Sequence, residues 1–326
     1  MITNYQTKGA GYWGADVDKW TFVYIMTLIK YANKSSQNVF AGCADYSYQY
    51  TAADKTLTGV NYFPLTDAQA ANIIVGSCVE IGYSQLNTST GALSTDRGST
   101  TMHAYGNCIK VTKKEASETV GITNVFVDVN TTFDTADVDV STTTYPSTYA
   151  PVYISTMPWW SGSTDAVIGK HDGSIVSNSN SKYPFRIMGI ECMIGAWGVI
   201  SNCVMNINSD YSTDFYVAGR GVARSVNTTT ITSTYTKVGT MNKDVGGSTS
   251  FWIGDEKFYP VGLGYPTSRG GGNSVGVGDY CYRSASTGWR EILLFGNLGA
   301  GSLGGLRLLS CNAGLSYSSW GIAASD

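Results

Sequence analysis

The 326-residue chain is poor in charge, histidine and proline, and it has no long apolar run. Asp, Glu, Lys and Arg make up 14% of it, against about 25% in an average soluble domain. Lys plus Arg is 21 and Asp plus Glu is 24, a net charge of -3. No basic footprint is present, which argues against a protein that holds nucleic acid by its phosphates. The longest apolar stretches, residues 22–29 and 187–200, are interrupted and fall short of the roughly 18 residues a membrane helix needs. No basic start followed by an apolar run is visible near Met1. A role outside a cell would therefore imply exit by lysis or on a particle.

Catalytic constellations are also scarce. The two histidines are His103 and His171. His171 with Asp165 or Asp172 is the one start for a Ser-His-Asp triad, and no G-x-S-x-G elbow accompanies it. Asp165, Asp172 and Glu191 lack the spacing signature of a glycosidase carboxylate pair. Gly270-Gly271-Gly272 lacks the lysine and following helix of a phosphate-binding loop. Four Asp between Asp128 and Asp139 lack EF-hand spacing and read as a solvated linker. Seven cysteines, an odd number without a C-x-x-C, exclude a fully paired disulfide framework and zinc-finger spacing. Free, mostly buried thiols are the expectation. These absences point to a chain that is not an enzyme and carries neither cofactor nor metal.

What is present is 38 Gly, 22 Tyr and long Ser/Thr/Asn stretches, a composition that suits strands joined by uncharged turns. Asp16 or Asp18 can cap a helix bearing Trp20, Val23, Tyr24, Leu28 and Tyr31 at helical spacing. A second helix is predicted over 67–74 with Thr66 as its cap. Strands are predicted at 79–81, 108–111, 124–129, 215–217 and 228–238. The Thr/Ser/Asp-rich segment 130–151 reads as a boundary between domains 1–151 and 152–326. Trp159-Trp160 could stack on a sugar, but Trp is also a filler of β-rich cores. The core reading is preferred there and at Trp197, Trp289 and Trp320.

The C-terminal segment carries an ordered set of motifs. Trp289-Arg290-Glu291 is followed by apolar Ile292 to Phe295, then Gly296-Asn297-Leu298, Gly304-Gly305-Leu306, Leu308-Leu309 and Ser316-x-Ser318 to Ile322. This order resembles the tails of the variable proteins of diversity-generating retroelements, with Gly304 where Ala is usual and Ala323-Ala324 in place of Gly-Ala. The block from Ser155 to Trp159, through His171-Asp172-Gly173 to Pro184–Glu191, looks like that of tail-associated proteins of gut phages bearing such tails.

The resemblance implies a β-rich α+β protein. A C-type-lectin-like ligand-binding domain would span 152–326, with its variable segment at 265–320. A β-rich N-terminal domain with one or two helices would mount it and oligomerise it. In that family the Gly and apolar positions form a frame, and codons that began as Asn diversify the residues between them. The corresponding positions here are Tyr280, Tyr282, Arg283, Ser284, Ala285, Ser286, Thr287, Ala300, Leu303, Arg307, Ser310, Cys311, Ala313, Tyr317 and Ser319. Each is a residue that such codons yield, and Tyr, Ser and Gly are also what paratopes use. The expectation is that Tyr280, Tyr282, Arg283, Leu303, Arg307, Ser310 and Tyr317 lie exposed together over buried Leu293, Phe295, Leu306 and Leu308. The implied role is a hypervariable receptor-binding protein of a phage tail, made in the bacterial cytoplasm and carried on the virion. Its implied partners are a host cell-surface protein or glycan, other tail proteins and two further copies in a homotrimer, without nucleic acid or membrane insertion. The alternative is a structural tail or head-decoration protein with no receptor role.

Overall fold

Asp16 starts the first helix. Its carboxylate accepts a hydrogen bond from the Lys19 amide at 2.9 Å, satisfying an N–H that the first turn leaves without a backbone partner. The helix, α1 (Val17–Tyr31), ends at Ala32 in the left-handed conformation. Trp20, Val23 and Tyr24 are buried, and Leu28 and Tyr31 pack partly against the same core. The helical spacing in the sequence thus marks the inward stripe. Phe22, Ile25 and Ile29 on the remaining surface are exposed.

The computed structural model describes residues 16–36, 39, 42–159, 182–187, 190–192, 195, 197–219, 231, 233–258, 264–315 and 322–323. These residues are β-rich, as expected from composition, with three α-helices among them. The chain divides into two compact units, residues 46–167 and residues 1–45 with 168–326.

The unit 46–167 is built on one antiparallel sheet. Its strands are β1 (Gln49–Thr51), β2 (Tyr62–Thr66), β3 (Cys78–Tyr83), β6 (Gly106–Ala116), β7 (Ile122–Val127) and β10 (Val152–Met157), in the order β1-β10-β3-β6-β7-β2. Two small pairs accompany it, β4 (Gln85–Leu86) with β5 (Leu93–Ser94), and β8 (Val138–Asp139) with β9 (Tyr149–Ala150). Period-two alternation turns Val79 and Ile81, Val125 and Val127, and Val152 and Ile154 to one side. Phe63, Leu65 and Phe133 complete that core. Thr66 caps α2 (Asp67–Ala70) in a capping box with Gln69, so the expected cap is present on a helix shorter than 67–74.

Two sequence-based expectations are corrected here. A boundary at 151/152 would cut β10 from its unit, because β10 pairs with β1 on one side and β3 on the other. Nor is 130–151 a linker. Phe133 and Ala150 are buried, Thr135 donates its amide to the Leu57 carbonyl, and Asp137 pairs with Lys55. Polar composition concealed a segment that Phe133 and Ala150 anchor in the core.

The other unit joins α1 to the rest of the chain. A hairpin of β11 (Phe185–Ile187) and β12 (Ile190–Cys192) precedes β13 (Trp197–Ile207), β14 (Thr213–Val217) and β15 (Thr236–Met241). The short α3 (Lys243–Gly246) leads to β16 (Phe251–Phe258), β17 (Gly264–Arg269), β18 (Tyr280–Tyr282), β19 (Gly288–Phe295), β20 (Gly305–Ser310) and β21 (Ile322–Ala323). The main path of the sheet runs β15-β14-β13-β19-β20-β18-β16-β17, and β21 lies parallel to β13. Of the strand expected at 228–238, residues 228–230 and 232 lie outside the described residues, 231, 233 and 234 are helical, and only 236–238 fall in a strand, β15. β13 and β19 pair directly, with a bulge between Val199 and Val204. Strand β13 and the strands of 280–310 therefore share one sheet, β11 and β12 form a separate pair, and 155–157 belong to the other unit. Leu293, Phe295, Leu306 and Leu308 are all buried, as the frame reading expects.

Candidate ligand-binding surface

β18 is three residues long, and its alternation separates two environments. Cys281 points into the core beside Leu294 and Leu309. Tyr280 and Tyr282 point the other way and are half-buried. Trp252, the register partner of Tyr280 on β16, meets it edge to face with centroids 5.0 Å apart. Tyr280 and Tyr282 meet edge to face at 4.9 Å, and Tyr282 meets Trp197 of β13 at 6.0 Å. Trp252, Tyr280, Tyr282 and Trp197 form a continuous row of half-buried aromatic rings. Each edge-to-face contact places a positive ring edge on a negative face, which holds the row in place without full burial. Burial, then the neighbouring Tyr280, pushes the Tyr282 hydroxyl pKa above its ordinary value.

The turn after β18 is also outward. Ser284 is half-buried, Ala285, Ser286 and Thr287 are exposed, and the Arg290 guanidinium donates to the carbonyls of Ser286 (3.1 Å) and Thr287 (3.2 Å). Leu303 is half-buried in a turn at Gly301–Leu303.

The other expected site residues lie elsewhere. Arg283 is buried, and its side chain donates to the carbonyls of Gly247 (3.0 Å) and Tyr211 (2.8 Å). Arg307 is 3% exposed. Its guanidinium pairs with buried Glu256 and lies 3.8 Å from the Trp20 ring centroid and 4.8 Å from that of Tyr24. Ala300, Ser310, Cys311 and Ala313 are buried too. The expectation of a single exposed face is therefore corrected for Arg283, Arg307 and Ser310. For Arg307 and Ser310 the reason is that β20 is buried on both faces along its whole length, so no register would expose them. Tyr317, Ser319 and Trp320 lie outside the described residues, as do Trp160, Asp165, His171 and Asp172 and the side chain of Glu191.

Beneath β20 a buried polar cluster ties α1 and the segment after it to the sheet. Asp279 is fully buried and accepts hydrogen bonds from the Arg307 amide and from the Ser36 hydroxyl at 2.9 Å. Ser36 Oγ in turn accepts from the Leu306 amide at 2.9 Å, and Trp20 Nε1 donates to the Leu306 carbonyl at 2.8 Å. Burial drives the Asp279 pKa up to about 7, against the hydrogen bonds that favour its charged form. Gly305 is required here, since an added Cβ would sit 2.7 Å from the Asp279 carboxylate.

Trp252 and Trp197 were missed as surface residues. For Trp252 the signal was available, because it stands between buried Phe251 and Ile253, and strand alternation turns it outward. Trp197 was assigned to the core together with Trp289, and both are half-buried, whereas Trp159 is buried as expected. Among the described residues no group of three or more His, Cys, Asp or Glu could hold a metal ion. No described helix is long and apolar enough to cross a membrane. Comparison with protein-family models, curated proteins and solved structures gives no match.

Proposed function

We propose that the chain is a non-enzymatic ligand-binding protein with a C-type-lectin-like unit, carried on a phage tail, that recognises a host-surface protein or glycan. The observation that supports this best is the aromatic row Trp252-Tyr280-Tyr282-Trp197. Half-buried Tyr and Trp offer large, rigid contact area at small entropic cost, and such residues dominate interface energies. Tyr280 and Tyr282 belong to the segment that resembles a diversified tail, and the exposed turn 285–287 follows them directly. Contact with a partner would thus centre on the aromatic row of β16, β18 and β13 rather than on the whole variable segment. The buried positions, among them Arg283, Arg307 and Cys311, would act as frame in this chain.

The test is a Tyr280→Ala/Tyr282→Ala double variant and a Trp252→Ala variant. Each is assayed for adsorption to host cells and for melting temperature. The expected outcome is at least a tenfold loss of adsorption by the double variant, with a cooperative melt retained. Undiminished adsorption by folded variants would favour the structural, non-receptor role.

A further inference from the structure

Cys281 and Cys311 are separated by thirty residues in sequence, yet their Sγ atoms lie 3.8 Å apart in the core. β18 and β20 are parallel neighbours, with Cys281 opposite Leu309, and the Cys311 amide donates to the Tyr282 carbonyl at 2.8 Å. This backbone hydrogen bond anchors Cys311 just past the end of β20. Arg283 lies close by. It is 4% exposed, and its Nη1 is buried without a hydrogen-bond partner.

We infer that Cys281 and Cys311 form a redox-sensitive pair, which a hydroperoxide converts to an intramolecular disulfide linking β18 to the end of β20. Cys311 is the attacking thiol. A hydrogen bond from Cys281, then the charges of Arg283 and Arg290, lower its pKa against the opposing effect of burial. Cys281 is shifted the opposite way and stays protonated. The Cys311 thiolate attacks one peroxide oxygen, the O–O bond breaks, and hydroxide leaves and takes up a proton. Cys311 is then a sulfenic acid. The Cys281 sulfur attacks the Cys311 sulfur, the S–O bond breaks, and water departs with the Cys281 proton. Overall, two thiols and one hydrogen peroxide give one disulfide and two waters. Both thiols are buried, so a small peroxide arriving through local opening fits the site better than a bulky disulfide reagent. The bond would staple the strand that carries Tyr280 and Tyr282, whatever that strand binds.

The experiment treats the full-length native protein with stoichiometric hydrogen peroxide, alkylates it, and maps its peptides by mass spectrometry. The expected product is a 281–311 linked peptide two hydrogens lighter than the sum of its parts. Cys311→Ser should abolish it, and Cys281→Ser should leave a Cys311 sulfenic acid that a dimedone-type reagent traps. The oxidised wild type should melt on the order of 5–10 °C higher, reversed by dithiothreitol, because a cross-link of this span restricts the unfolded chain. Oxidation confined to other cysteines, or an unchanged melt after the link has formed, would overturn the inference. Because these readouts need no ligand, they stand or fall apart from the adsorption assay.

Discussion

The outward face of β18 and the ground beneath β20 belong to one stretch of the chain and are opposite in character. Tyr280 and Tyr282 are half-buried in an aromatic row, while Arg307 is sealed between Glu256, Trp20 and Tyr24. Both sets fall within one Gly- and Ser-rich segment whose residues between the frame positions all read as projecting. The difference teaches that residue type in such a segment does not decide exposure. Strand alternation and the number of layers on a strand decide it. β18 has one open face, whereas β20 is buried at every position. An arginine on β20 must therefore find a buried partner, and it does so in Glu256.

The largest effect that would break this comparison is on Arg307. Arg307→Ala leaves Glu256 buried without its cation and removes a stacking plane from Trp20 and Tyr24. Removing one partner of a buried pair costs roughly 3–5 kcal/mol. Chemical denaturation should show a loss of that size. A loss under about 0.5 kcal/mol, the range of an ordinary surface change, would return Arg307 to the surface.

A smaller effect, reading buried carboxyls in both units, is pH dependence. Burial raises the pKa of Asp279 and of Glu80 to about 7, and for Glu80 the charge of Arg97 opposes the shift. A carboxyl whose pKa is raised on folding favours its protonated form in the fold. Its contribution is complete below the unfolded value near 4 and is lost as pH rises towards 7. These two groups should therefore make the protein more stable as pH falls from 7 towards 4. Glu80→Gln and Asp279→Asn should each flatten that part of the stability–pH curve. Unchanged slopes in both variants would refute the assignment.

The smallest expected effect is at the turn 285–287. Ser286→Ala and Thr287→Ala keep the carbonyls that Arg290 grips and remove only exposed side-chain atoms. Each should change stability by less than about 0.5 kcal/mol in thermal or urea melts. A cost above 1 kcal/mol would mean that this turn is packed as the Arg307 site is.

How far the sequence reached depended on the range of the physics involved. Local rules named α1 with Asp16 as one of two candidate caps, the Thr66 cap and the β-rich class. The helical stripe of Trp20, Val23 and Tyr24, and buried Leu293, Phe295, Leu306 and Leu308, were also legible, because apolar residues in a frame have one place to go. The division of the chain was not. Residues 46–167 are inserted between α1 and the sheet it packs on, and α1 is joined to that sheet by long-range bonds such as Trp20 Nε1 to the Leu306 carbonyl. No composition shift signals a segment that leaves one core and returns to it. The polar residues of the tail were equally opaque. Tyr280 and Arg307 both look like projecting residues in one dimension. Only the tertiary structure, which lays Trp20 and Tyr24 of α1 over Arg307 and leaves Tyr280 and Tyr282 of β18 half-buried, separates the aromatic row from the buried ion pair.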